Sequence, residues 1–360
     1  MQISPISIRR AVVALSLALF VALTFVVGRA AIAAEPVTLE NFVPPTANDK
    51  DEAIAPAFSL AKAADFLDSA ALDWQKSRNC MTCHTNYAFL LSRPAISADA
   101  PAHREVRKYA EELVTDRWVK DKPRWDTEVV ATATVLAFND AATTGKLHPT
   151  TRSALDKMWT VQREDGGWSW IKCDWPPMES DDDYGVAFAA VGVGVAPEGY
   201  ADTPAAKAGM EKLRAYLKAN PPPTLHHRAM LLWAATYPAN ANLITDEERK
   251  ATVADLRALQ HEDGGWSLPS LGDWKRADGS PQDTATSDGY GTGFVTYILR
   301  RAGVPADDSQ LARSVAWLKS HQRESGRWFS RSLHKDSKHF ITHAGTAFAV
   351  MALAECNAAK

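Results

Sequence analysis

The 360-residue chain reads as an all-α protein in which an outer ring of helices wraps an inner ring. Three observations lead there. From Ala57 onward the apolar residues recur at helical spacing or fall in Ala-rich runs, and strand-like alternation bounded by hairpin turns is absent. Helices with one charged face alternate with helices that carry almost no charge, as expected of an outer layer packed on a buried one. A short segment ending in tryptophan recurs at three helix connections: Gln162-Arg163-Glu164-Asp165-Gly166-Gly167-Trp168, Gln260-His261-Glu262-Asp263-Gly264-Gly265-Trp266 and Gln322-Arg323-Glu324-Ser325-Gly326-Arg327-Trp328.

Taken in order, residues 1–34 read as a signal peptide: Arg9 and Arg10 precede an apolar run from Ala11 to Val27, and small residues end at Ala33-Ala34. Export follows, with a periplasmic location expected and an uncleaved N-terminal anchor as the alternative. Losing Arg9, Arg10 and Arg29 takes the formal charge from −3 to −6, and with no basic run in the chain nucleic acid is not an expected partner. Residues 35–55, rich in Pro, Ala and acids, form an extended leader, and 56–360 form one helical domain.

In that domain the periodicity predicts about six outer and inner pairs: 56–74 with 86–93, 103–119 with 126–141, 150–162 with 182–196, 203–219 with 225–237, 246–260 with 287–302, and 308–321 with 341–356. Outer members carry charges such as Arg104, Lys108, Glu111, Lys212 and Arg257. Gly185 to Ala196, Gly291 to Leu299 and Ala344 to Ala354 are almost uncharged, which predicts helices buried nearly all round.

Between the first two helices lies Cys80-Met81-Thr82-Cys83-His84, the Cys-x-x-Cys-His attachment signature of a covalent c-type haem. Cys80 and Cys83 would form the two thioethers and His84 the proximal iron bond. A structural zinc site needs four ligands, and Cys173 and Cys356 lie far off, so zinc is not expected. A local Cys80–Cys83 disulfide is the other alternative, although it leaves His84 without a role. The long connections 169–181, 267–286 and 329–340 share the motif's rim, which places the haem over the mouth of the central cavity. Candidate distal ligands there are Met178, His226, His227, His261, His334, His339 and His343, with His343 or His339 favoured because they enter the last inner helix.

The recurring Gln-x-x-Asp-Gly-Gly-Trp resembles the QW motif of squalene-hopene and oxidosqualene cyclases, shared more loosely by prenyltransferase β subunits, over most of the mature chain. The resemblance implies a single, squalene-cyclase-like α/α toroid in which these segments are structural clasps and their tryptophans have no catalytic part. Glu179-x-Asp181-Asp182 resembles the cyclases' Asp-x-Asp-Asp acid motif, which implies Asp181 as the acid that protonates an alkene. Asp181, Asp182 and Asp288 are therefore the candidate catalytic residues, although helix capping alone also explains acids at such positions. The first acid here is Glu, and the chain is long enough for only one toroid where squalene cyclases have two. Asp288-Gly289-Tyr290 resembles the prenyltransferase zinc element but has Tyr290 where its thiolate should be.

Three functions remain open. The first is an exported haem c protein on a cyclase-like toroid, carrying electrons or performing oxidation, with a periplasmic redox partner and an apolar or isoprenoid ligand in the central cavity. The second is a terpenoid cyclase, an isomerase that uses the acidic motif. The third is a non-catalytic binding module.

Overall fold

The helices begin where short polar side chains can take up the first free backbone amides. The computed structural model describes residues 35–359, so the expected signal peptide lies outside the described residues; Val37–Lys360 form one compact unit. The outer helices are α1 (Leu60–Arg78), α3 (Pro101–Glu112), α5 (Pro149–Thr160), α7 (Pro204–Ala219), α9 (Asp246–Ala258) and α11 (Ser309–Ser320). The inner ones are α2 (Ala88–Ser92), α4 (Asp126–Thr143), α6 (Asp182–Val195), α8 (Leu225–Ala234), α10 (Gly289–Arg301) and α12 (Ile341–Glu355). Ser59, Thr203 and Thr224 cap α1, α7 and α8, Thr245 and Glu248 form a capping box on α9, and Asp181 and Asp288 cap α6 and α10.

Consecutive inner helices pack on one another from α2 through α12, and α12 packs back on α2, which closes the ring. The inner helices are buried over almost their whole length, every residue of α12 from Ile341 to Leu353 included, as their uncharged sequence requires. This is a single α/α toroid. Trp233 of α8 meets Phe138 of α4 at 6.2 Å and Phe348 of α12 at 6.3 Å, although neither helix is its neighbour in the ring. Its side chain, fully buried, therefore lies in the ring's interior. Tyr184, His226, Tyr290 and Phe294 stack beside it, so aromatic side chains occupy the space where a central ligand is expected.

The three clasps are alike in detail. Gln162 donates to the carbonyls of Gly166 (2.9 Å) and Gly209 (3.0 Å), Gln260 to those of Gly264 (2.9 Å) and Gln310 (2.8 Å), and Gln322 to those of Gly326 (2.9 Å) and Ser59 (2.9 Å). Each glutamine thus ties its own turn to the next outer helix, and the last closes the outer ring on α1. Trp168, Trp266 and Trp328 donate to the carbonyls of Met158, Leu256 and Leu318 in the helix before. Gly166 and Gly326 sit at φ +93° and +94°, where a Cβ would also collide with the carbonyl of Lys212 or Lys62, so glycine is required.

Candidate functional site at the toroid rim

The Cys-x-x-Cys-His segment enters the ring as a π-helical turn, Cys83–Tyr87, which leads into α2. Thr82 is extended and its hydroxyl donates to Glu179 Oε1 at 2.9 Å, while the Cys83 amide donates to the same oxygen at 3.3 Å. Glu179, the first acid of the expected acidic motif, is thus bound to the cysteine segment rather than grouped with Asp181. Burial raises its carboxyl pKa and pushes the Cys83 thiol well up. The connection 169–181 covers the motif, leaving Cys83 and His84 only 5% and 4% exposed. All four cysteines, Cys80, Cys83, Cys173 and Cys356, are free thiols.

His84 stacks on Phe340 with ring centroids 5.3 Å apart and 9° between planes, meets Trp74 edge-on at 5.0 Å, and has Trp175 at 6.2 Å. Its Nδ1 lies 3.0 Å from Thr85 Oγ1, which lies 2.9 Å from His343 Nδ1. His343 Nε2 in turn is 3.1 Å from Asn48 Nδ2 in the leader. Burial pushes both imidazoles down to about 3, so both are neutral near pH 7.

These contacts test whether a covalent porphyrin fits. Two buried donors near the motif lack partners, Trp74 Nε1 beside His84 and Arg117 Nε near Cys80, and such groups suit the acidic edge of a porphyrin. Against this, His84 is enclosed by Phe340, Trp74 and Trp175, and its Nδ1 is placed to accept from Thr85, which puts the proton on the nitrogen that would bind iron. In this packing, ligation of iron by His84 Nε2 would require the hydrogen on that nitrogen to move to Nδ1. The two favoured distal candidates, His343 and His339, both have protein partners. His343 joins His84 through the Nδ1 side, with its own Nε2 engaged by Asn48. His339 accepts the Ser332 amide at Nδ1 (3.0 Å) and packs against Phe329. Among the described residues no group of three or more His, Cys, Asp or Glu is placed to hold a metal ion.

The carboxylates divide by their partners. Asp181 accepts from the Tyr184 amide (3.0 Å), Ser180 (2.8 Å) and His227 Nε2 (2.9 Å), and against the upward push of burial these bonds bring its pKa down to about 2. These bonds favour the anionic form of Asp181 near pH 7. Asp182 is paired with Arg163 at 2.7 Å and Lys172 at 3.2 Å, which ties the clasp to the inner helix. Asp288 accepts from the Gly291 amide (2.9 Å), the Leu268 amide and Ser330 Oγ (3.0 Å), yet burial dominates and pushes its pKa up to about 6. It lines an open groove of about 1370 Å³ with Trp74, Phe329, Phe340, His343 and leader residues 45–50.

Sequence reasoning missed Asn48, Thr85, Trp175 and Arg327. Only Arg327 carried a signal, because a charge stands where the other two clasps have glycine. It is 1% exposed, forms an ion pair with Glu52 at 2.8 Å, and donates to the Thr46 carbonyl (2.9 Å) and Asn48 Oδ1 (2.7 Å).

Fold and rim together define a single α/α toroid whose clasps and inner helices position the rim residues. No family model matches the chain. Over 85 residues it is 35% identical to a squalene–hopene cyclase of Zymomonas mobilis subsp. mobilis, a match spanning 24% of this chain and 11% of the cyclase. Among solved structures a polysaccharide lyase superposes with a TM-score of 0.50 at 11% identity, covering 83% of this chain and 97% of its own, which shows the shared fold. A type II terpene cyclase from Scytonema superposes with a TM-score of 0.47 at 12% identity, covering 83% of this chain and 99% of its own.

Proposed function

We propose that this chain is a terpene-cyclase-like toroid that binds an apolar, isoprenoid-like ligand in the rim groove and handles a proton there through Asp288. The placement of Asp288 carries the reading: a carboxyl whose pKa burial brings close to neutral lines a groove whose walls include Trp74, Phe329 and Phe340. Their apolar rings suit contact with an unsaturated chain. Asp181, kept anionic through His227, supports the rim electrostatically instead of donating. The sequence similarity to a squalene–hopene cyclase supports the ligand class.

The test is to incubate the mature protein with squalene and shorter polyprenyl chains and to analyse the products by mass spectrometry. The expected outcome is a cyclised product whose formation falls by about 100-fold or more in Asp288→Asn, the range for loss of a general acid. No product from any polyene overturns the reading.

A second reading keeps Cys80, Cys83 and His84 as the attachment site of haem c in an exported electron carrier with a periplasmic redox partner. The unpartnered Trp74 Nε1 beside His84 favours it. Its check is a pyridine haemochrome spectrum from a strain that matures c-type cytochromes, with Cys83→Ser as control. A covalent spectrum lost in the variant supports this reading; a colourless wild-type protein ends it.

A further inference from the structure

The leader is joined to His84 by a chain of hydrogen bonds whose direction can be worked out atom by atom. Arg327 Nη1 can only donate, so the Asn48 atom 2.7 Å from it is the amide oxygen. The Asn48 amide nitrogen is thereby turned toward the His339 carbonyl at 3.1 Å and His343 Nε2 at 3.1 Å, with one N–H for each. His343 Nε2 must then accept, and its proton sits on Nδ1, which donates to Thr85 Oγ1 at 2.9 Å. The Thr85 hydroxyl has only the two imidazoles as partners among the described residues, so its own proton goes to His84 Nδ1 at 3.0 Å. A neutral His84 accepting at Nδ1 carries its hydrogen on Nε2.

We propose that Asn48, oriented by Arg327, is a positioning residue that sets the tautomers of His343 and His84, so that the docked leader makes His84 Nε2 a hydrogen-bond donor and withholds its lone pair. Turning the Asn48 amide would present an acceptor to His343 Nε2 and reverse the array, whereas lifting the leader away removes the donor that fixes it; in either case His84 Nε2 can present its lone pair. The array accounts for two features left over from the fold. Arg327 replaces a clasp glycine because it must reach Thr46, Asn48 and Glu52. Thr85 stands between two buried imidazoles because a hydroxyl can accept from one and donate to the other. The direction follows from hydrogen bonds alone and not from what occupies the groove.

The experiment is one-bond and two-bond proton–nitrogen correlation spectroscopy on protein labelled with nitrogen-15 histidine, using His84→Gln and His343→Gln to assign the two rings. In the wild type His343 is expected as the Nδ1–H form and His84 as the Nε2–H form. Asn48→Asp presents an acceptor to His343 Nε2, so both rings should invert. Adding Thr85→Val should leave His343 inverted while His84 no longer follows. A merely structural role for Asn48 predicts no coordinated inversion. His84 found as Nδ1–H in the wild type, or unchanged in an Asn48→Asp protein whose circular dichroism is native, overturns the proposal. A colourless wild-type protein would end the haem reading and leave this result untouched.

Discussion

The first two clasps and the third share a backbone but differ in what they hold. At Gly166, Gly264 and Gly326 φ is +93°, +93° and +94°, and the glutamine and tryptophan bonds are the same in all three. In the first two an aspartate seals the turn internally: Asp165 and Asp263 accept the amides of Gly167 and Gly265 at 2.9 Å. In the third, Ser325 replaces that aspartate and Arg327 the second glycine; Ser325 Oγ accepts from Arg327 Nε at 2.7 Å, and the Ser325 amide and the Arg327 guanidinium also meet the leader. The Ser325 amide donates to Glu52 at 2.8 Å, Arg327 takes Glu52, Thr46 and Asn48, and Ala55 and Glu324 exchange backbone bonds with Gln322 and Ala53. The shared part builds the toroid, whereas the departure docks a segment that only this clasp receives. In a repeat protein, the repeat that breaks the pattern is the place to look for a special task.

The largest effect tests what the clasps share. Trp168→Ala and Trp328→Ala should each lower stability by about 3–5 kcal/mol in denaturant unfolding, the usual cost of emptying a fully buried tryptophan site. A near-neutral result at either would mean that clasp is not structural. Next comes the difference itself. Arg327→Gly restores the repeat but strips a buried cation from Glu52, and about 3 kcal/mol is expected for breaking such a pair. The leader between 45 and 55 should become cleavable by limited proteolysis; continued protection would show that Arg327 does not anchor it.

Two helix caps should respond to pH with opposite signs. Asp288 has its folded pKa raised to about 6, so its favourable term is fully present below the unfolded value of about 3.9 and is lost as pH rises through about 6, on the order of 3 kcal/mol. Asp181 has its folded pKa lowered to about 2, so its term is present above about 3.9 and lost as pH falls toward 2, on the order of 1 kcal/mol after screening. Urea unfolding between pH 3 and 7 should therefore show the loss above pH 4 removed by Asp288→Asn, and Asp181→Asn should remove the loss at low pH. The smallest effect belongs to Lys50→Ala, because the Lys50–Asp51 pair is exposed on both sides; its midpoint should move by less than about 0.5 kcal/mol.

Much of the architecture was legible because its signals are local. The helix expected over 203–219 runs Pro204–Ala219, set by the Thr203 cap and a proline at the first position. The first outer helix was expected to begin at 56 and begins at Leu60, where Ser59 accepts the Lys62 amide. The first inner helix starts earlier than the expected 86, as the π-helical turn Cys83–Tyr87, because Thr82 and Cys83 are held by Glu179 from 97 and 96 residues away. No local pattern carries that information. Asp181 and Asp288 were readable as acids at helix starts, but their opposite pKa shifts depend on the tertiary structure: His227 favours the anion of Asp181, whereas burial of Asp288 outweighs its bonds from Leu268 and Ser330.

The amino-acid sequence by itself determined the helix pairs, their alternation of wet and dry faces, and the three clasps, since each follows from spacing of 3 to 7 residues and from caps adjacent to the helices they start. Only the tertiary structure decided that the leader reaches His343, that Glu179 belongs to the cysteine segment rather than to the acidic one, and that aromatic side chains occupy the ring's interior. Those outcomes depend on closing α12 against α2, which brings together side chains as far apart as Asn48 and His343, 295 residues along the chain. Hydrogen bonds and desolvation act over a few ångströms, so they could not be read until the ring had closed.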